Sequence, residues 1–276
     1  MFEQDVVKPV YLLGYILSLL ALSWLAVLPV ALGLAPASLL ILIPFLPGIL
    51  ALVFLTLEGH PVEVHARPFL RPVTAPAVLL AVAYPFLLLG LAALVALGTG
   101  LGYVNGAGTA WSLVLAGFLS AIPASLGQEY GYRGYLLPAL TYWQGRVAAT
   151  LSVGIVWGLA VAPLSYLALA AAGAGSPLQA AALGFLLIVA VGFAFSACIS
   201  LSENILPVVL LNALLLVAVP VFFRASWDPA AAGTGGLVGV TWPSPVPLVL
   251  LTALAFVPFF SWFLTARDGD IDGDLR

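Results

Sequence analysis

Two charged residues in this sequence have the types and the spacing to act together. Glu129 and Arg133 stand four residues apart in the stretch Gly-Gln-Glu-Tyr-Gly-Tyr-Arg-Gly, residues 127–134. On a helix this spacing puts both side chains on one face with the acid N-terminal to the base, the favourable order for an ion pair. A carboxylate there is a candidate general base for activating water. The spacing alone favours the simpler interpretation, an ion pair at a helix end.

The rest of the chain is an almost uncharged frame around this pair. Hydrophobic residues make up 63% of the sequence and charged residues 7%, against about 25% charged residues in ordinary soluble domains. A helix crosses roughly 30 Å of hydrocarbon with about 20 apolar residues. Three uncharged runs, 9–57, 72–128 and 147–202, are each long enough for two crossings. Turn-forming residues divide them at Gly33–Pro36, Gly98–Gly108 and Gly173–Pro177.

Two later apolar segments complete the prediction, an all-α polytopic membrane protein of about eight transmembrane helices that form one domain, residues 1–276. The stretch Tyr135–Trp143 is expected to be a short interfacial helix that Gly145 ends. The predicted spans are about 10–32, 36–57, 74–97, 109–127, 147–169, 178–201, 204–223 and 246–264.

The positive charges predict the orientation of these helices. Eight crossings put both termini on one side of the membrane, and only Arg224 then falls on the opposite side. Because basic residues concentrate in cytoplasmic loops, both termini and the acidic tail, residues 267–276, are predicted to lie in the cytoplasm at the plasma membrane. The basic residues on the terminal side are Lys8, Arg67, Arg71, Arg133, Arg146, Arg267 and Arg276.

The order of three motifs resembles that of a known membrane family. The stretch GQEYGYRGYLLPAL resembles the first motif of the CPBP family, which comprises the CAAX prenyl endopeptidases and the Abi (bacteriocin-processing or self-immunity) proteins. That motif is Glu-Glu-x-x-x-Arg followed by Gly-(Phe/Tyr)-Leu-Leu-Pro. Residues 157–163 resemble the second motif, Trp-Gly-x-x-His-x-Pro, and residues 207–216 the third, Pro-x-x-x-x-His-x-x-x-Asn. The resemblance covers about 111–216 and implies a CAAX-endopeptidase-like helical bundle.

The resemblance also implies which residues would do chemistry in active relatives. There, the first Glu and the second-motif His activate a water inside the membrane, and the third-motif His and Asn stabilise the oxyanion. This chain keeps Glu129 and Arg133 but replaces all four of those positions. General acid-base catalysis is typically worth ~10² to 10⁴ in rate, and an oxyanion donor ~10² to 10³. The replaced positions are Gln128, Val161, Asn212 and Leu216.

These losses favour a pseudoprotease that binds a peptide, a lipidated chain end or a partner protein. One alternative is a residual intramembrane endopeptidase in which Glu129 acts as the base. Another is a transport or permease component, which eight helices alone would suggest, although the near absence of charge in the other spans argues against an ion pathway. We expect membrane lipid as the surroundings, and no cofactor, metal ion or nucleic acid.

Four further features of the sequence give weaker functional signals. The residues Glu58–His65 include two His and two Glu, but they lack a helical metal-ligand spacing and are expected to form an extended, solvated connection. Asp268–Asp274 matches only the opening of an EF-hand loop. Gly154 and Gly158 form a small-xxx-small pair that would permit close helix approach. Cys198 is expected to be a small buried hydrophobe.

Overall fold

The computed structural model of the protein describes residues 7–104, 111–171, 176–225, 238–240 and 246–274. Most of these residues are helical. A 3₁₀-helix, Ala37–Phe45, leads into α2, and a π-helix, Tyr130–Leu136, joins α5 to α6. The α-helices are α1 (Pro9–Ala31), α2 (Leu46–Leu57), α3 (Val62–Leu70), α4 (Ala75–Gly98), α5 (Trp111–Glu129), α6 (Leu137–Ala171), α7 (Pro177–Ser202), α8 (Leu206–Phe222) and α9 (Val246–Asp274).

The protein is an α-helical membrane protein with several spans. Among the described residues, six helical segments are long and apolar enough to cross a membrane. One of them, Val114–Leu167, has 54 residues, which exceeds the roughly 20 that one crossing needs. The all-α prediction is confirmed, while the count of eight crossings stays a prediction. The other five segments are Pro9–Ala31, Ala37–Leu57, Ala75–Gly98, Pro177–Ser202 and Val246–Asp268, and Leu206–Val219 is a shorter apolar helix.

Partly buried side-chain hydrogen bonds connect the helices at one end of the bundle. Asn204, between α7 and α8, donates to the carbonyl of Phe69 in α3 at 3.2 Å, and its Oδ1 accepts from the amide of Leu206 at 2.8 Å. The second bond satisfies a backbone N–H at the start of α8 that has no partner within the helix. Thr74, just before α4, donates to the carbonyl of Leu201 near the end of α7 at 3.0 Å. These contacts hold α3 and the adjoining ends of α4, α7 and α8 together.

The long helix α6 is broken where the sequence predicted an interfacial helix to end. Gly145 has φ +78°, a left-handed conformation that glycine adopts without steric cost. The next residue, Arg146, pairs with Asp268 of α9 through Nε and Oδ1 at 3.3 Å, and its Nη1 donates to Ser200 of α7 at 3.1 Å. The prediction that Gly145 ends the short helix is therefore confirmed.

A small sheet that the sequence did not predict follows α4 and α8. Its strands are β1 (Gly102–Val104), β2 (Phe223–Ala225) and β3 (Val238–Val240), in the order β1-β3-β2. β1 pairs with β3 antiparallel and β2 pairs with β3 in parallel. Each strand has three residues, which is too short for a detectable alternation of polar and apolar residues.

Other turn and loop predictions have mixed outcomes. The turn after α1 is confirmed, since Gly33 has φ +70°. The extended connection predicted for Glu58–His65 is wrong, because α3 begins at Val62. Pro61 directly precedes that helix, where a missing backbone N–H costs nothing. Parts of other predicted segments lie outside the described residues, namely 105–110, 172–175, 226–237, 241–245 and 275–276.

Candidate functional site

Glu129 and Arg133 lie at the junction of α5 and the π-helix, and both side chains are fully buried. Arg133 Nη1 lies 3.2 Å from Glu129 Oε2. The interpretation of this pair as one at a helix end is wrong, because the chain continues from α5 through the π-helix into α6. π-helical turns are rare and frequently mark functional sites. The pair is therefore an interior feature of the helix assembly.

Two glycines bring the backbone of this segment against α2 and the end of the 3₁₀-helix before it. A Cβ on Gly131 would lie 2.3 Å from the carbonyl carbon of Pro47, and one on Gly127 would lie 2.9 Å from Cα of Phe45. In membranes, small residues at this spacing let two backbones approach closely. The contact fixes the segment that carries Glu129.

Asn212 of α8 connects the acidic residue to its neighbour. Its side chain is buried, and Nδ2 donates to Gln128 Oε1 and to Glu129 Oε1, each at 2.9 Å. A primary amide nitrogen carries two hydrogens, so these two bonds use both. One oxygen of the Glu129 carboxylate thus accepts from Asn212, and the other faces Arg133.

Arg133 is held between aromatic rings. Its Cζ lies 4.5 Å from the ring centroid of Trp157 in α6 and 4.8 Å from that of Phe195 in α7. Cation–π contacts of this kind are worth about 2 kcal/mol when desolvated. Trp157 opens the stretch that resembles the second motif, so the cation connects the first two motifs. Sequence reasoning missed Phe195, because a phenylalanine in an apolar helix gives no distinguishing signal.

The Gly154 and Gly158 prediction is confirmed by the packing of α6 on α7. A Cβ on Gly154 would lie 3.1 Å from Cα of Val189, and one on Gly158 would lie 2.5 Å from a ring carbon of Phe185. The backbone of α6 therefore runs directly against α7 beside Trp157.

A hydrogen bond from α1 satisfies a carbonyl in the second-motif helix. Pro163 has no N–H, so it cannot donate to the carbonyl of Leu159 one turn earlier. The indole Nε1 of Trp24 donates to that carbonyl at 3.0 Å. Because hydrocarbon offers no competing water, a partner for a backbone carbonyl matters more in a membrane than in solution.

The six candidate residues fall into two groups. Hydrogen bonds and the ion pair bring together Gln128, Glu129, Arg133 and Asn212. The other two contribute apolar surface: Val161 is partly buried against the hydrophobic core, and Leu216 is 52% exposed.

The weaker candidates do not assemble a metal site. Among the described residues, no group of three or more His, Cys, Asp or Glu side chains is placed to hold a metal ion. His60 Nε2 instead lies 3.2 Å from Glu58 Oε2, and Glu58 Oε1 accepts from the backbone amide of Lys8 at 3.0 Å. Cys198 is fully buried, as expected, with its thiol 3.5 Å from the carbonyl of Ala77.

Comparison with known families gives one match. Residues 109–218 match the family model described as type II CAAX prenyl endopeptidase Rce1-like. The match confirms the resemblance seen in the motifs and contains all six candidate residues, although it spans less than half of the 276-residue chain. Comparison with curated protein sequences finds no match.

Proposed function

We propose that this membrane protein is a non-hydrolysing member of the CAAX prenyl endopeptidase family, whose model matches residues 109–218, and that it binds a lipidated peptide end. On this proposal the protein binds the same class of ligand as the family but does not activate water to hydrolyse it. It rests on one observation, the pair of hydrogen bonds by which Asn212 engages Gln128 and Glu129.

Those bonds leave the carboxylate poorly placed to act as a base. Oε1 of Glu129 accepts from Asn212, and Oε2 faces Arg133 at 3.2 Å. Taking a proton from water would neutralise the carboxylate and leave Arg133 without its counter-charge inside a fully buried site, where an unpaired charged group is costly. Gln128 next to it carries an amide, which does not accept a proton near neutral pH. This arrangement supports a site that does not activate water.

Retention of the frame supports a binding role. An ion pair inside a membrane protein is expensive compared with a well-packed hydrophobic replacement. Here the pair joins α5 to α8 through Asn212, and to α6 and α7 through Trp157 and Phe195. The chain thus keeps a costly buried ion pair that connects the helices carrying the family motifs. This retention supports the proposal that the helices still form a binding site for the family's ligands.

Purified protein in lipid nanodiscs tests both halves of the proposal. The ligand is a farnesylated peptide that ends in Cys-Ala-Ala-X, with the unmodified peptide as its control. We expect fluorescence anisotropy to detect binding of the farnesylated peptide, and mass spectrometry to detect no release of the terminal tripeptide. Absence of preferential binding would overturn the binding half.

Three variants decide whether the protein hydrolyses peptides. Wild-type cleavage that disappears in Glu129→Gln would establish a residual endopeptidase instead. The combined variant Gln128→Glu, Val161→His, Asn212→His and Leu216→Asn restores the family residues and is expected to gain cleavage. Its matched control keeps Gln128 and carries only the other three changes, and it should stay inactive.

A further inference from the structure

Several polar side chains deep between α6 and α7 have unused hydrogen-bonding capacity. Arg133 Nε and Nη2, Thr150 Oγ1 and Ser196 Oγ are all buried, and none has a hydrogen-bond partner among the described residues. Buried donors are nearly always satisfied by protein or by ordered water. The ion pair with Glu129 involves only Nη1 of the guanidinium.

The register of the two helices brings these groups into one seam. At one level Arg146 of α6 donates to Ser200 of α7 at 3.1 Å. At a second level, two turns further along α6, a Cβ on Gly192 of α7 would lie 3.8 Å from Cα of Gly154. Thr150 and Ser196 are each one turn from both levels on their own helices. Residues four apart share a helix face, so the two hydroxyls lie between these levels.

The guanidinium points into the same seam. The Cβ position of Gly192 is 3.7 Å from Arg133 Nη2. The distances at this position are ordinary van der Waals separations, so the glycine leaves space for at least a methyl group beside the nitrogen. The space has a charged donor at one end and hydroxyls one turn away.

From this arrangement we propose that the α6–α7 seam binds a short file of ordered water molecules between Arg133 and the hydroxyls of Thr150 and Ser196. A buried water needs two to four polar partners, and the guanidinium and the two hydroxyls provide them. Arg146 and Ser200, partly exposed at the end of the seam, connect the file to the membrane surface. The ligand is therefore water. The water molecules accept hydrogen bonds from the Arg133 guanidinium, whose aromatic neighbours do not provide hydrogen-bond acceptors.

Hydroxyl-radical footprinting by X-ray radiolysis tests this site in nanodisc-embedded protein. Radicals form from water, so a buried aromatic ring is oxidised quickly only when ordered water lies beside it. Trp157, which is 6% exposed, borders the guanidinium, whereas Tyr15 is 0% exposed and donates to the carbonyl of Pro47 at 3.2 Å. We expect Trp157 to be oxidised several-fold faster than Tyr15. Equal slow rates would overturn the proposal.

A matched pair of variants locates the water. Gly192→Ala puts a methyl group into the seam without a clash and should reduce oxidation of Trp157 to the level of Tyr15. Gly184→Ala on the same helix, where a Cβ meets nothing within 4 Å, should leave it unchanged. Thermal unfolding of both variants checks that the fold is intact. Rapid Trp157 oxidation that Gly192→Ala does not reduce would place the water elsewhere and contradict the seam.

Discussion

Replacing Asn212 with leucine measures how much the two hydrogen bonds from Asn212 to Gln128 and Glu129 contribute to stability. Leucine has a similar volume but donates no hydrogen bond, so both Gln128 Oε1 and Glu129 Oε1 lose their donor at 2.9 Å. A hydrogen bond between neutral side chains of two membrane helices averages ~0.6 kcal/mol. A bond to a charged group is worth about 1.5 to 3 kcal/mol. Asn212→Leu should therefore destabilise the protein by about 2 to 3.5 kcal/mol, mostly through the carboxylate.

Reversible unfolding in mixed micelles of lipid and dodecyl sulfate gives this free energy. A double-mutant cycle of Asn212→Leu with Gln128→Leu isolates the neutral bond, for which we expect a coupling of about 0.6 kcal/mol. Leu216→Ala, one turn along α8 at an exposed position, is the matched control. If Asn212→Leu cost less than about 0.5 kcal/mol, the range of ordinary surface substitutions, Asn212 would not be holding the carboxylate.

Three further predictions concern packing and charge away from the bond pair, each checked by unfolding measurements. Trp24→Phe leaves the carbonyl of Leu159 without a donor and should cost about 1 kcal/mol; no change would show that this bond is dispensable. Gly131→Ala places a Cβ 2.3 Å from Pro47 and should cost about 1 to 3 kcal/mol or more, so a neutral result would refute the close contact. Burial raises the pKa of Glu58, with the Lys8 amide and His60 opposing it, so the folded state binds that proton more tightly than the unfolded chain does. The free energy of unfolding of the wild type should therefore fall relative to that of Glu58→Gln as pH rises through the raised pKa. A wild type that becomes more stable relative to Glu58→Gln over this pH range would contradict the prediction.

The sequence by itself determined the class of the protein and most of its helices. Long uncharged runs favour helices when they lie in hydrocarbon, because a helix gives each backbone polar group a partner within its own segment. The glycines at positions 33 and 145 indicated helix ends for a similarly local reason. Glycine adopts positive φ without steric cost, and both Gly33 and Gly145 do so. The family frame was also readable, because motif order and spacing are properties of the chain alone.

Only the tertiary structure decided what surrounds the buried charges. The spacing of Glu129 and Arg133 predicted a pair but placed it at a helix end, because local spacing says nothing about how far the packed helices exclude solvent. Asn212 lies 83 residues from Glu129 in sequence, and Phe195 is one apolar residue among many in α7. Their contacts depend on which faces of α5, α6, α7 and α8 meet, and close packing of whole helices determines that.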